Sequence, residues 1–202
     1  MKITNIKQQI KRAGRYSVFV DGKYGFSLSD SALLDSRLIV GQELSQQQLR
    51  ELKQTSAADK LYANTLRYLA IRPRTIWEVT TYLQRKGASP ALTKTILNKL
   101  SNANLLDDKK FAEAFVNDRQ LLRPTSRRKI IMELRQKHVA DEVIQSVLGD
   151  EQHDEQTALQ SIIDSKRRQT KYQDNLKLMQ YLARQGFNYS DIKAALQNDQ
   201  AA

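Results

Sequence analysis

Three segments of the 202-residue chain share one spacing: Leu83-Gln-Arg-Lys-Gly87, Leu134-Arg-Gln-Lys-His138 and Leu182-Ala-Arg-Gln-Gly186. Ten residues after each closing position stands another leucine, Leu97, Leu148 and Leu196. Eight residues before each opening leucine stands a residue type suited to a helix N-cap: Thr75, Ser126 and Asp174. A period of about fifty residues, filled with helix signals and free of strand signals, predicts a tandem array of helical modules. Such arrays present an extended surface to a large partner more readily than a closed pocket to a small molecule.

Each module reads as three helices. In the first, Leu61, Leu66 and Leu69 form one apolar stripe, and Arg72-Pro73-Arg74 breaks the helix. Thr75 with Glu78 has capping-box spacing for the second helix, whose buried face is expected to hold Ile76, Val79, Tyr82 and Leu83. Gly87 stands where a helix end needs a left-handed residue. Ser89-Pro90, an N-cap followed by proline, opens the third helix with Leu92, Ile96, Leu97 and Leu100. The second module opens at Asp107-Asp108, breaks at Arg123-Pro124, and carries Phe111, Ala112, Phe115, Val116, Ile130, Ile131, Leu134, Val143, Ile144, Val147 and Leu148 on its apolar stripes. The third uses Ala158, Leu159, Ile162 and Ile163, then Leu178, Met179, Tyr181 and Leu182, then Ile192, Ala195 and Leu196. His138, in the place of the two glycines, is read as a substitute favoured near the negative end of a helix.

Residues 1–29 follow another rule. Ile3 to Ile6 and Tyr16 to Val20 read as strands, Asp21-Gly22 as a type I′ hairpin turn, and Tyr24, Phe26 and Leu28 as one face of a third strand. A short helix is expected after Ser29 or Asp30. Another should open at the Ser45/Gln48 capping box and run through Leu52. The expected organisation is an N-terminal antiparallel β-meander with helices over 1–56, then helical repeats over 57–106, 107–149 and 150–202, the whole mainly α.

The formal net charge is +11, concentrated in the first half of the chain. It predicts a polyanionic partner. The absence of cysteine excludes disulfides, thiolate metal sites and cysteine catalysis, and fits a reducing cytoplasm. No apolar leader or bilayer-length apolar run is visible, so a cytoplasmic chain with no membrane association is expected. No cofactor is expected: the glycines form neither a phosphate-cradling loop nor a dinucleotide fingerprint. His138 and His153 are the only histidines, and no zinc-type spacing exists. Glu51-Leu-Lys53, with Asp30 or Asp35 upstream, has the spacing of a metal-dependent nuclease. It lies on a predicted helix, however, and reads better as salt-bridging. The glycine-turned helix pair over 75–100 resembles a helix–turn–helix, but its second helix begins Pro90-Ala-Leu-Thr-Lys94, which is poorly equipped for base edges. Phosphate contact is the more natural use of these cations. Trp77, Tyr82 and Tyr181 occupy helical-spacing positions and read first as packing residues.

The residues from about 57 to 197 resemble the RecX family, bacterial regulators of the RecA recombinase. The resemblance rests on Arg72-Pro-Arg-Thr-Ile-Trp-Glu-Val79 with Leu83-Gln-Arg-Lys-Gly87. It continues in Leu105-Leu-Asp-Asp108 leading to Phe111-Ala112 and Arg119, and in Glu133-Leu134 with Arg135-Gln-Lys137. Tyr16-Ser-Val-Phe-Val-Asp-Gly22 and Gly41-Gln-Glu-Leu44 resemble the extension of longer members. Members often carry glycine at the helix break occupied here by Pro124-Thr125 and where His138 stands. The resemblance implies three three-helix modules forming an elongated curved array, no enzymatic activity, and binding in the groove of the RecA filament on single-stranded DNA, for which a monomer is the simplest expectation. There it would restrain ATP hydrolysis and strand exchange. Charge alone selects the candidate contacts with recombinase or with single- or double-stranded DNA without sequence preference: Arg72, Arg74, Arg85 and Lys86; Arg123, Arg127, Arg128, Lys129, Arg135 and Lys137; Lys166, Arg167, Arg168 and Lys171. The competing expectation is a non-specific nucleic-acid-binding helical protein without a recombinase partner.

Overall fold

Asp21 and Gly22 both take positive φ, +48° and +77°, as a type I′ turn demands. This turn joins β2 (Arg15–Val20) to β3 (Lys23–Ser29), and β1 (Ile3–Gln8) pairs with the other side of β2, giving an antiparallel sheet in the order β1-β2-β3. The computed structural model describes residues 1–149 and 153–201. One strand expectation is corrected. Val18 pairs with Phe26 but Phe19 pairs with Tyr24, so Gly25 is the extra residue of a β-bulge. The bulge turns Tyr24 away from the face shared by Phe26 and Leu28. Tyr24 is 60% exposed and meets Phe19 edge-on, whereas Phe26 and Leu28 are buried.

The apolar face of the sheet, Ile3, Val18, Val20, Phe26 and Leu28 with Leu44, is covered by Ala32 and Leu33 of α1 (Asp30–Ser36), by Leu38, and by Leu49 and Leu52 of α2 (Gln46–Ile71). Ser29 caps α1, and the predicted Ser45/Gln48 capping box opens α2. The helix expected to stop after Leu52 and the helix expected to start near Ala57 are one continuous element of 26 residues. No glycine or proline interrupts residues 46–71, and side chains in the middle of α2 are held by the sheet. Ser56 Oγ donates to Ser27 O at 2.7 Å. Asp59 accepts from the Ser29 hydroxyl at 2.6 Å and from the Ser29 N–H at 3.0 Å. The same carboxylate pairs with Arg15 at 3.0 Å, and Arg15 also donates to Ser27 Oγ and Ser27 O. The outer edge of β3 is thereby closed by polar side chains of a helix rather than by another strand, a cover that also blocks edge-to-edge association.

The helices that follow are α3 (Ile76–Arg85), α4 (Pro90–Asn102), α5 (Asp108–Leu122), α6 (Arg127–Gln136), α7 (Asp141–Leu148), α8 (His153–Arg167), α9 (Asn175–Arg184) and α10 (Tyr189–Ala201). A short 3₁₀ turn, Thr170–Tyr172, separates α8 from α9. Two apolar clusters form cores. Phe111, Ala112, Val116, Ile130, Leu134, Val139 and Ile144 join α5, α6 and α7. Leu159, Ile162, Ile163, Leu178, Leu182, Phe187, Ile192 and Leu196 join α8, α9 and α10. Ile76, expected on a buried face, is 39% exposed at the first position of α3, while Val79 and Leu83 are fully buried.

The repeat read from the sequence is a repeat of helix ends. Gly87, His138 and Gly186 take positive φ, +80°, +57° and +92°. In each case the next N–H returns to the carbonyl of the opening leucine: Ala88 to Leu83 at 3.1 Å, Val139 to Leu134 at 3.2 Å, Phe187 to Leu182 at 3.4 Å. These are the six-to-one bonds of a Schellman closure, with the apolar contact that accompanies it visible in the Val139/Leu134 and Phe187/Leu182 pairs of the two cores. The chain divides into two compact units, Met1–Pro73 with Thr80–Lys99 and Arg74–Val79 with Leu100–Ala202. The division crosses α3 because the first turn of that helix is fixed to α5 and to the end of α6. The boundary expected at 56/57 falls inside α2, and that at 149/150 adjoins residues 150–152, outside the described residues.

The buried Arg15–Asp59 pair yields a test. Asp59→Ala leaves a guanidinium buried without its counter-charge and is expected to cost about 3 kcal/mol of stability in urea unfolding. The double variant Arg15→Met/Asp59→Leu should recover part of that loss, since the pair's desolvation cost disappears with it.

Candidate functional site

Two joints in the second unit are built alike. At the start of α3 the capping box forms as expected: the Glu78 N–H donates to Thr75 Oγ1 and the Thr75 N–H to Glu78 Oε2, both at 3.2 Å. The Thr75 hydroxyl then donates onward to Lys137 O at 3.0 Å. At the start of α6, Ser126 Oγ accepts from the Lys129 N–H at 3.2 Å. The Ser126 N–H and the Thr125 hydroxyl donate to Gln185 O at 3.2 and 3.0 Å. Lys137 and Gln185 are equivalent in the repeat, each standing immediately before the left-handed residue. Thr75 and Ser126 are completely buried.

Side chains reinforce each joint. Asp107 caps its own helix α5, but Asp108 reaches across and accepts from the Ile76 N–H of α3 at 2.8 Å. Burial raises the Asp108 pKa above the ordinary carboxylate value; the Ile76 hydrogen bond opposes this, and repulsion from Asp107 and Glu78 adds to it. The His138 ring stacks on Trp77 with centroids 4.0 Å apart and planes 21° apart. At the other joint Gly186 has no room for a side chain: a Cβ there would collide with Ser126 Oγ and stand 3.2 Å from Lys129 Cβ.

Between these joints runs a cleft of about 1070 Å³ along α6, lined by Arg127, Arg128, Lys129, Ile131, Met132, Arg135, Gln136 and His138, and further by Gln145, Glu155, Arg184, Gly186 and Asn188. Helical periodicity gives its neighbouring cations different tasks. Arg127 donates to Leu148 O and Gly149 O, closing α7, so its charge is spent on the fold. Lys129 donates to Gln185 Oε1 at 2.9 Å and to Arg184 O. Arg135 pairs with Asp141 at 2.7 Å, and that carboxylate raises the arginine's pKa through the hydrogen bond and its charge. Arg128 is exposed, and its side chain has no ion pair or hydrogen bond among the described residues; the same holds for Arg184. Arg184 and Met132 were not singled out in the sequence. Arg184 sits inside the third copy of the repeat, and extending the charge survey along that motif finds it.

The other candidates are dispersed. In the first unit Arg85 and Lys86 are exposed, with Lys86 over the Tyr82 ring, itself stacked on Tyr68 at 4.2 Å; Arg72 is exposed and donates to Pro73 O. In the second, Arg74 is half-buried, Arg123 is exposed at the end of α5, and Lys137 stands 4.0 Å from Glu78 and over Phe111. Arg167 is a structural hub, paired with Asp199 at 2.8 Å and donating to Tyr172 O, Gln173 O and Asn175 Oδ1. Lys166 lies over Tyr172 and Tyr181, Lys171 over Tyr172, and Arg168 is exposed. Glu51 and Lys53 are exposed on α2. Among the described residues, no three histidine, cysteine, aspartate or glutamate side chains are grouped to hold a metal ion, and no helix is long and apolar enough to cross a membrane. The His153 side chain lies outside the described residues. Arg119 and Glu133, which the family resemblance singled out, form a half-buried ion pair at 2.8 Å.

Comparison with known proteins places names beside these features. Residues 1–45 match the family model "Regulatory protein RecX N-terminal domain", residues 62–100 "RecX, first three-helix domain", and residues 107–148 "RecX, second three-helix domain". A regulatory protein RecX of Lactobacillus delbrueckii subsp. bulgaricus is 32% identical over 97% of this chain and 74% of its own length. One of Lactobacillus johnsonii is 37% identical over 72% of this chain and 54% of its own, so the chain spans about half of that relative. A crystal structure named regulatory protein RecX superposes with a TM-score of 0.73 at 27% identity, over 97% of this chain and 98% of that one.

Gly186→Ala is expected to destabilise the second unit by about 1 kcal/mol or more, through the left-handed φ and the collision with Ser126, read as a lowered urea midpoint. For Asp108 the sign follows from its raised pKa. The stabilising contribution is complete below the unfolded value and is lost as pH rises through the folded one. Asp108→Asn, which keeps an acceptor for Ile76, should therefore match or exceed the parent's melting temperature at neutral pH, with the advantage vanishing toward acid. Asp108→Ala should lose about 1 kcal/mol at neutral pH.

Proposed function

Because this chain belongs to the RecX family of regulatory proteins, we propose that it is a non-enzymatic regulator of the RecA recombinase in the cytoplasm, acting in DNA repair and recombination. Its modules dock in the groove of the RecA filament on single-stranded DNA and restrain ATP hydrolysis and strand exchange. The observation that carries this reading is the succession of an N-terminal RecX domain and two RecX three-helix domains along one chain. The chemistry of the second unit supports it. Arg128 and Arg184 are available to an anionic surface, whereas Arg127 and Arg167 serve the fold. A nucleoprotein filament offers acidic protein and phosphate together, and cations standing on rigid helix ends meet either without a cofactor.

The test is a recombinase ATPase assay on single-stranded DNA with the protein added at stoichiometric ratio. Inhibition is expected. Arg128→Glu/Arg184→Glu should raise the protein concentration needed for half-inhibition at least about tenfold, equivalent to roughly 1.4 kcal/mol. Its unfolding midpoint should stay close to the parent's, because exposed charges contribute little to stability. An ATPase rate unchanged by the parent protein overturns the reading.

A further inference from the structure

His138 stands in the left-handed region at a position whose two counterparts are glycines. A β-carbon in that region is strained, and an outlier held in place by its surroundings points to a use for the side chain. Here the ring lines the α6 cleft and is backed by Trp77, which remains 42% exposed. The cleft thus has His138, with Trp77 stacked on its ring, by the end of α6, and Arg128, Lys129 and Arg184 by its start, about 15 Å away along a helix of 10 residues. Its volume exceeds that of a site for a drug-sized molecule.

We propose that the Trp77–His138 pair is a stacking platform for an unpaired base, with the phosphates of the same single strand running along Arg128, Lys129 and Arg184. The proposal deepens the filament reading and rests on it for the source of the strand. An acidic peptide would engage the cations and leave the rings idle, whereas single-stranded nucleic acid uses both: every base has a π-face, and every linkage a charge. A duplex keeps its bases stacked on one another and does not present a free face to the rings. One carboxylate lines the cleft, and a second pairs with an arginine that does. Asp141 neutralises Arg135, and Glu155 stands among the lining residues, so phosphate contact falls to the remaining cations.

Trp77 is the only tryptophan in the chain, so its fluorescence reports the platform directly. Short oligothymidylate is titrated into the full chain without recombinase, beside an abasic oligonucleotide of equal length and a duplex. Oligothymidylate should quench Trp77 saturably. The abasic strand should bind about tenfold more weakly without quenching. The duplex should leave the emission unchanged. His138→Gly, which restores the residue the turn prefers, should fold like the parent yet bind oligothymidylate several-fold more weakly, and Arg128→Glu/Arg184→Glu should lose binding of both single strands. Equal quenching by the abasic strand or duplex, unchanged affinity in His138→Gly, or no binding of oligothymidylate overturns the proposal. Recombinase inhibition measured on the same preparation separates the two readings: inhibition without oligonucleotide quenching sinks the platform alone, and quenching without inhibition sinks the filament reading alone.

Discussion

The carbonyl that precedes each left-handed helix end is the acceptor on which the joints of the second unit depend. A Schellman closure consumes the carbonyl of the opening leucine and leaves that of the C-cap residue, just past the helix, without an intrahelical partner. At Lys137 and Gln185 that oxygen is satisfied by the buried start of another middle helix. The arrangement is economical because a hydroxyl can accept and donate at once. Thr75 accepts from its own helix and donates to Lys137 O, while at the second joint Ser126 accepts and Thr125 donates. Each bond contributes only about 1 kcal/mol net, but a buried carbonyl left unpaired would cost about 1–3 kcal/mol. The penalty for misplacing the helices therefore exceeds the gain from placing them, and the joint has one geometry.

That geometry decides what the basic residues do. Adjacent residues on a helix point about 100° apart, so Arg127-Arg128-Lys129 cannot act as one cluster. Arg127 turns to the carbonyls that end α7, Lys129 to the end of α9, and Arg128 to solvent. Lys166-Arg167-Arg168 divides in the same way, with Arg167 drawn into a network with Asp199 and two carbonyls while Arg168 stays exposed. A run of positive charge in this fold is a run of separate positions, some turned to helix ends and others left to solvent.

The features legible in the sequence are those whose causes lie within a few residues. The type I′ turn at Asp21-Gly22, the capping boxes at Ser45 and Thr75, and the leucine-to-left-handed closures depend on local backbone needs, so their spacing announces them. The features that escaped it join distant residues. Arg15 meets Asp59 across 44 positions, and Thr75 meets Lys137 across 62. Nothing near Trp77 in the chain indicates that it faces His138. The bulge at Gly25 is intermediate: glycine in a strand hints at it, but only pairing with β2 shows that Tyr24 is turned outward. The continuity of α2 failed for a related reason, since the polar stretch around Ser56 and Asp59 resembles a boundary until the sheet it serves is in place.

The closing position of the repeat shows how one conformational need can be met under three different pressures. Around Gly87 a β-carbon would meet nothing within 4 Å, so φ alone favours glycine there. At Gly186 both φ and the wall formed by Ser126 and Lys129 require it. At His138 the joint leaves room, and the Trp77 ring offers a partner; an aromatic contact of this kind contributes about 0.5–1.5 kcal/mol, comparable to the cost of a β-carbon in the left-handed region. The stack can therefore offset the strain locally, and the histidine costs the fold little. The joint that uses glycine closes tightly against the basic start of α6, whereas the joint that uses histidine places an aromatic surface at the far end of the same helix, along one cleft.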